Sequence, residues 1–349
     1  MRILMFISPG FNLFEPVVET LKSQGHDVAV IPGYGDADDP RMLDRRIKLN
    51  DKRIQNWKDR LDTFWRKQEQ IIAKGYDIFM SLNGTSFGET AFRLIEKYSP
   101  GIEKVLFTWD SFNFYDFRQM EQFFDRLYTF DIVDAENPGW RLLPSFYVRK
   151  DQGNRRAESE YDVFMIGSNH DRRYTFIRKI MPVLKANGLN SYIKIVSPVQ
   201  NWKSLSFAVD CIKTLYIRGY VPELLFSYGY IDRDLRQDEP VGLDEYTEIM
   251  NRSKCIMDDN RALQAGLSPR FIRALALGKK IITTNEWAHK FSFVDKSNVM
   301  IVDKEKPVID VDFIRHPAKP IKCEDFDALE LSHWVRILTG EVDCPSFKI

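Results

Sequence analysis

SKCIMDDNRALQAGLSPRFIRALALGKKIITTN, residues 253–285, reads as strand, loop, helix and strand in succession. Lys254–Met257 is a short run suited to a buried strand, and Asp258–Ser268 is polar and punctuated by Gly266. Pro269 stands where the first turn of a helix accepts a residue without an N–H. Phe271, Ala274, Leu275 and Leu277 then share a helical face, Gly278 stops the helix, and Lys280–Thr283 opens the next strand. The loop Gln264–Ser268 therefore leads into a helix N-terminus, where unpaired N–H groups and the dipole favour an anion. Arg270, in the first turn, is placed to add a charged fork to that site. An ordinary βαβ turn, with Gly266 for backbone geometry and Arg270 solvated, satisfies the same spacing.

The rest of the chain extends this α/β pattern in both directions. Ile3–Ile7 is a strand, Leu13–Ser23 a helix and His26–Ile31 a second strand, so the chain opens on a βαβ unit of a parallel sheet. The turn Ser8-Pro9-Gly10 lacks the glycine spacing of a dinucleotide fingerprint, which disfavours a Rossmann dehydrogenase. Strands follow at Tyr76–Leu82, Lys104–Trp109, Leu127–Phe130 and Leu142–Tyr147, with turn and helix over Gly84–Tyr98. Lys150–Glu160 is charged and without apolar period, and reads as the linker between domains at 1–152 and 153–349. Beyond it come strands at Tyr161–Ile166, Ser191–Ser197 and Glu223–Ile231, and helices at Phe207–Ile217 and Asp244–Arg252. Val299–Val302 is a last strand and Glu324–Leu338 a terminal helix.

Between these elements, residues 40–74 read as mostly helical. Ile47, Ile54, Leu61 and Gln68 fall seven apart, as do Asn50, Trp57, Phe64 and Ile71. From Arg41 to Lys74 there are 11 Lys and Arg against 5 acids. A basic helix carrying Trp57, Phe64 and Trp65 suits an anionic membrane surface or a lipid-linked acceptor. Packing of the stripe on its own domain, with solvated charges, is the other reading.

Composition bounds the function. A chain of 349 residues holds two domains of ordinary size, and 44% hydrophobic with 29% charged residues is a globular profile. Fifty basic and fifty acidic side chains balance, which argues against a nucleic-acid binder. Cys211, Cys255, Cys323 and Cys344 lack paired spacing and suggest reduced thiols, with neither zinc site nor disulfide framework. No apolar run approaches the roughly 20 residues of a membrane span, so a cytoplasmic protein is expected, with peripheral contact at the inner membrane face as an option.

Q-x-G-L-S-x-R followed by A-L-x-x-G-K-K-x-I-T-T-N resembles the carboxyl-terminal domain of bacterial glycosyltransferases of the GT-B fold, nearest to those that build capsule and lipopolysaccharide. The strand–helix–G-H-x-V opening, the T-W-D-S, F-D-R-L-Y-T-F-D-I-V-D-A and L-P-S-F-Y segments extend the resemblance over both domains. It implies two Rossmann-like domains facing across a cleft, with the terminal helix crossing back to the first. It also implies that the loop Gln264, Gly266, Leu267, Ser268 and the helix with Arg270 hold the diphosphate of a nucleotide-sugar. The chain departs at Arg273, where many relatives carry the Glu that in several GT-B families meets the donor ribose.

Glycosyl transfer needs a stabilised diphosphate leaving group and, if it inverts, a base for the acceptor hydroxyl. Gly167-Ser168-Asn169-His170 turns into a helix carrying Arg172 and Arg173, a second phosphate-suited start. Those arginines, Arg270 and Lys279 are available to neutralise a diphosphate without metal, and Asp232-Arg233-Asp234 is a lone tripeptide in a polar turn. No cofactor is expected, the nucleotide-sugar being a co-substrate. Asp110, a carboxylate at a strand end, is the candidate base, and His170 its rival as acid, base or donor ligand. Asp131 and Asp134 could pair as carboxylates, although a strand-end Asp more commonly caps the next turn. The expected function is transfer of a sugar to a glycan or lipid-linked acceptor. A nucleotide-sugar epimerase or phosphorylase, or a non-catalytic binding protein, uses the same scaffold.

Overall fold

The computed structural model describes residues 1–7, 14–33, 51–148, 159–169, 172–196, 231–321 and 323–347. The chain divides into two compact units. The first comprises Met1–Ser145 and Asp327–Phe347, and the second contains Phe146–Phe326.

The first unit is built on a six-stranded parallel sheet of β1 (Arg2–Ile7), β2 (Asp27–Pro32), β3 (Ile78–Leu82), β4 (Glu103–Thr108), β5 (Arg126–Thr129) and β6 (Trp140–Leu142). Its order is β2-β1-β3-β4-β5-β6. Every residue of β3 is buried, as a parallel strand covered on both faces requires. The helix Asp51–Lys67 packs Trp57, Leu61 and Trp65 into the core, and the Trp65 indole N–H donates to the Ser86 carbonyl at 2.9 Å. The buried stripe thus repeats every four residues, the spacing of a single helix laid on a sheet. The seven-residue rows put Phe64 and Ile71 in it, and both are only half-buried.

The last segment of the chain completes this unit. Expected as one helix over Glu324–Leu338, it is two, Glu324–Asp327 and Leu331–Thr339. Glu330 breaks it, because its carboxylate accepts the Ser332 N–H at 3.1 Å and caps the second helix. Trp334 is fully buried, its indole N–H donating to the Pro144 carbonyl at 3.1 Å and its ring meeting Phe107 edge-on at 4.8 Å. Arg126 donates to the Ile337 carbonyl at 3.0 Å.

The second unit repeats the plan with β7 (Tyr161–Ser168), β8 (Ser191–Val196), β9 (Arg236–Gln237), β10 (Ser253–Asp258), β11 (Lys280–Thr283) and β12 (Val299–Ile301). These strands are parallel, in the order β12-β11-β10-β7-β8-β9. Chain order reverses between β1 and β3 in the first sheet and between β7 and β10 in the second. Open α/β sheets take their ligands at the carboxyl ends of strands flanking such a reversal. The expected last strand of the first unit, Leu142–Tyr147, lies instead at Trp140–Leu142, paired to β5. The helix expected at Phe207–Ile217 and nearly all of the strand Glu223–Ile231 lie outside the described residues, as do Cys211, most of the linker and residues 40–50 of the basic segment. Cys255, Cys323 and Cys344 are free thiols.

Candidate functional site

The carboxyl ends of β7 and β10 flank the reversal in the second sheet, and the polar groups of the organising stretch gather there. Asp258 ends β10 and is buried. It accepts the Ser268 hydroxyl at 2.7 Å, and Arg270 Nη1 stands 3.4 Å away. Asp259 follows, also buried, held by Arg173 Nε at 3.2 Å and by Lys304 Nζ at 2.8 Å. Three cations therefore face two carboxylates in this cluster, among the described residues. Buried like charges raise each other's cost unless an opposite charge balances them, so the excess positive charge favours an anion.

Gly167 explains how two of the cations come so close. A methyl group there would stand 2.5 Å from Arg173 Nη1 and 2.9 Å from Arg270 Nη2, so only glycine lets both guanidiniums cross the end of β7. Both are oriented by their other bonds. Arg173 donates to the carbonyls of Ser168 at 2.6 Å and Asp259 at 2.9 Å. Arg270 donates to Tyr246 Oη at 2.9 Å and the Ile166 carbonyl at 2.7 Å. Burial, and then the neighbouring Arg270 charge, lower the pKa of Arg173 against the opposing pull of Asp259. Burial also works against the charge on Arg270, but Tyr246 and Asp258 outweigh it and its pKa is raised.

The loop that enters the helix Pro269–Ala276 is fastened from within. Ser268 caps the helix, its Oγ accepting the Phe271 N–H at 3.1 Å. Asn285, beyond β11, donates to the carbonyls of Ala265 at 3.2 Å and Gly266 at 3.1 Å, and Asn260 donates to that of Gln264. Gly266 and Leu267 are buried beneath the loop, whose tip holds Leu263 at φ +65° and 76% exposed.

Of the residues singled out in sequence, Gly167, Ser168, Arg173, Gln264, Gly266, Leu267, Ser268 and Arg270 belong to this one assembly. Arg172 is exposed in a left-handed conformation, its charge helping to lower the pKa of Glu305 after the larger effect of Lys179. His170 lies outside the described residues. Lys279 precedes β11 and so sits at the amino edge of the sheet, where it donates to the Asn251 carbonyl and burial pushes its pKa down to about 8. Asp232-Arg233-Asp234 forms a turn before β9 in which the Asp232 N–H donates to Tyr174 Oη at 3.1 Å. Sequence reasoning missed Asp258, Asp259, Lys304 and Asn285 as parts of the site. Adjacent acids at a predicted strand end were the available signal for the first two.

The molecule is similar over nearly its whole length to the α,α-trehalose-phosphate synthase (UDP-forming) of Burkholderia xenovorans. The TM-score is 0.51 at 9% identity, covering 99% of this chain and 93% of that one. This is a GT-B fold. MurG of Acinetobacter baumannii also aligns, with TM-score 0.46 and 10% identity over 97% of this chain and 94% of that one. The lipopolysaccharide outer core galactosyltransferase WaaB gives 0.48 and 10% over 98% and 100%. No family model matches the sequence, and no curated protein matches it.

The first GT-B unit carries a different carboxyl edge. Asp110 follows β4 at the sheet's carboxyl edge, half-buried, its Oδ2 accepting the Asn83 side-chain amide at 2.8 Å. The Asn83 carbonyl oxygen in turn accepts the Trp109 N–H at 3.0 Å, which fixes which way the amide faces. Asn83 follows β3 at φ +53°, a conformation that Asn adopts more readily than most residues. Trp109 stacks on Phe14 at 4.3 Å. Asp131 is the turn cap its position suggests, its Oδ1 accepting the N–H groups of Val133 at 3.0 Å and Asp134 at 3.4 Å.

Proposed function

We propose that the protein is a glycosyltransferase that moves a sugar from a nucleotide-sugar to a glycan or lipid-linked acceptor in surface polysaccharide synthesis, without a catalytic metal. The excess of cations, one buried and two half-buried, around the buried Asp258 and Asp259 at the carboxyl ends of β7 and β10 carries this reading, because on a GT-B fold it supplies charge for a nucleoside diphosphate. In this reading Arg173, Arg270 and Lys304 supply the positive field, and the loop Gln264–Ser268 supplies backbone around the diphosphate. Arg273, buried on the same helix, stands where an acceptor for the ribose hydroxyls would be needed, so the ribose is held by other groups. Departure of the diphosphate is assisted by fixed charges that need no reorganisation. Asp110 takes the acceptor proton if configuration inverts, and His170 is the alternative base or donor ligand.

Exposed Lys52, Lys58, Arg60, Arg66 and Lys67 on the helix Asp51–Lys67 support peripheral contact with an anionic inner membrane face. With Trp57 and Trp65 committed to the core, such contact is electrostatic and salt-sensitive. No helix among the described residues is long and apolar enough to cross a membrane.

Incubation with UDP-, GDP-, CMP- and TDP-sugars, with and without glycan and lipid-linked acceptors, tests the reading. A transferase consumes one donor quickly only when an acceptor is present. Rapid acceptor-independent conversion would point to an epimerase, and binding without turnover to a non-catalytic protein.

A further inference from the structure

The turn that carries Asp110 is gripped from a second side by a group with no role in the reading above. Asp134, in the short helix after β5, is buried, and its Oδ2 accepts the Phe112 N–H at 2.8 Å. The Ser111 hydroxyl also hydrogen-bonds to its carboxyl group. Ser111 and Phe112 directly follow Asp110, so Asn83 holds one end of the turn and Asp134 the other. Phe112 is buried as well, its ring edge-on to Trp140 at 4.7 Å.

We propose that Asp134 is a positioning residue, whose carboxyl group fixes the turn Asp110–Phe112 and through it the direction in which Asp110 faces. The catalytic part of this proposal rests on the glycosyltransferase reading and deepens it, while the positioning part stands on the turn itself. The groups facing Asp134 are Asp131 on its own turn, Ser111 and Phe112 after β4, and Arg118 on the short helix Phe117–Phe123. Arg118 is engaged by Asp116 at 2.6 Å and adds only a weak opposing pull. Burial, and then the Asp131 charge, push the Asp134 pKa up to about 7. The ionised carboxylate accepts from both Ser111 and Phe112, whereas protonation turns one oxygen into a donor and loosens the turn. The turn tightens as pH rises through neutrality.

The linkage has a definite sign. A carboxyl group held above its unfolded value of about 3.9 contributes stability that is full below that pH and lost as pH rises through the folded value. Asp134→Asn mimics the protonated form. The wild-type melting temperature should therefore fall relative to Asp134→Asn between pH 5 and 8. Asp131→Asn should shift this change to lower pH. In the full-length protein, Asp134→Ala should raise hydrogen exchange in the peptide spanning residues 109–115 at least tenfold, and Asp134→Asn, which keeps one acceptor oxygen, should raise it less. With the donor that supports turnover, wild-type kcat should rise through pH 7 with KM steady. Asp134→Asn should stay flat near the low-pH level, about tenfold below the high-pH plateau, a loss fitting a small misplacement of a reacting group. Unchanged exchange in Asp134→Ala, or parallel melting curves for wild type and Asp134→Asn, would overturn the positioning role. If those hold but the two enzymes share one pH–rate profile, the link to Asp110 is overturned. Absence of turnover with every donor would overturn that link together with the glycosyltransferase reading, and leave the positioning role to the first two measurements.

Discussion

The two sheets have the same parallel plan, yet their carboxyl edges differ in chemistry. The second sheet ends in Asp258 and Asp259 with Arg173, Arg270 and Lys304 crowded against them, an assembly with positive charge to spare. The first sheet ends in Asn83, Asp110, Asp131 and Asp134, and Arg118, whose charge acts weakly on Asp134, is tied to Asp116. A fold used twice thus presents an edge suited to an anion in one unit and an edge suited to accepting protons in the other. The difference arises at the strand ends and in the loops and helix starts that follow them, where Asp258, Arg173 and Arg270 stand in one unit and Asn83, Asp110 and Asp134 in the other.

The strongest way to break this comparison is to remove basicity from the first edge alone. Asp110→Asn keeps the shape and can still accept from Asn83, so the fold should be indifferent. Turnover should fall by about 10²–10⁴, the range of a lost general base, with donor affinity and melting temperature nearly unchanged. A lower melting temperature with intact turnover would mark Asp110 as a turn cap only.

On the second edge the largest stability effect should come from Arg270→Met. Its loss leaves the buried Asp258 with hydroxyl partners and without its paired cation, an arrangement that typically costs about 3–5 kcal/mol. Urea unfolding of wild type and variant measures this. A difference under about 1 kcal/mol, the scale of a surface ion pair, would show that the cluster is solvated in solution.

Gly167→Ala sharpens the same point with a smaller change. The added methyl group would force apart two guanidiniums that are each fastened elsewhere, at a cost of about 1–3 kcal/mol. It should also weaken donor binding, since both cations must move. A neutral substitution would mean that the arginines do not cross there.

Much of this architecture was legible from local pattern. Buried parallel strands such as Ile78–Leu82 read as apolar runs, and Ser268-Pro269 followed by Gly278 marked a helix at both ends. The terminal helix was harder, because Glu330 looks like a helix former until its side chain is seen capping Ser332. The phosphate-suited loops were visible as loops, but their internal wiring was not. Arg270 reads in sequence as a free fork, yet its guanidinium is turned inward to Tyr246, Ile166 and Asp258. Lys304 is 45 residues from Asp259 in the sequence and meets it only because β12 lies two strands from β10. Asn83 and Asp134 likewise reach the Asp110 turn from neighbouring strands, a relation that no local spacing encodes.

The most direct measurement is calorimetric titration of nucleoside diphosphates into the wild-type protein and Lys304→Ala, at low and high salt. Lys304 is the cation of the cluster whose removal disturbs the buried network least, because Asp259 keeps Arg173. One nucleoside diphosphate should bind the wild type, more weakly as salt rises, and Lys304→Ala should lose about 1.5–3 kcal/mol of that affinity, the range for a charge-assisted hydrogen bond. No binding by any nucleoside diphosphate, or binding indifferent to both salt and Lys304, would contradict a donor site at the second sheet's carboxyl edge.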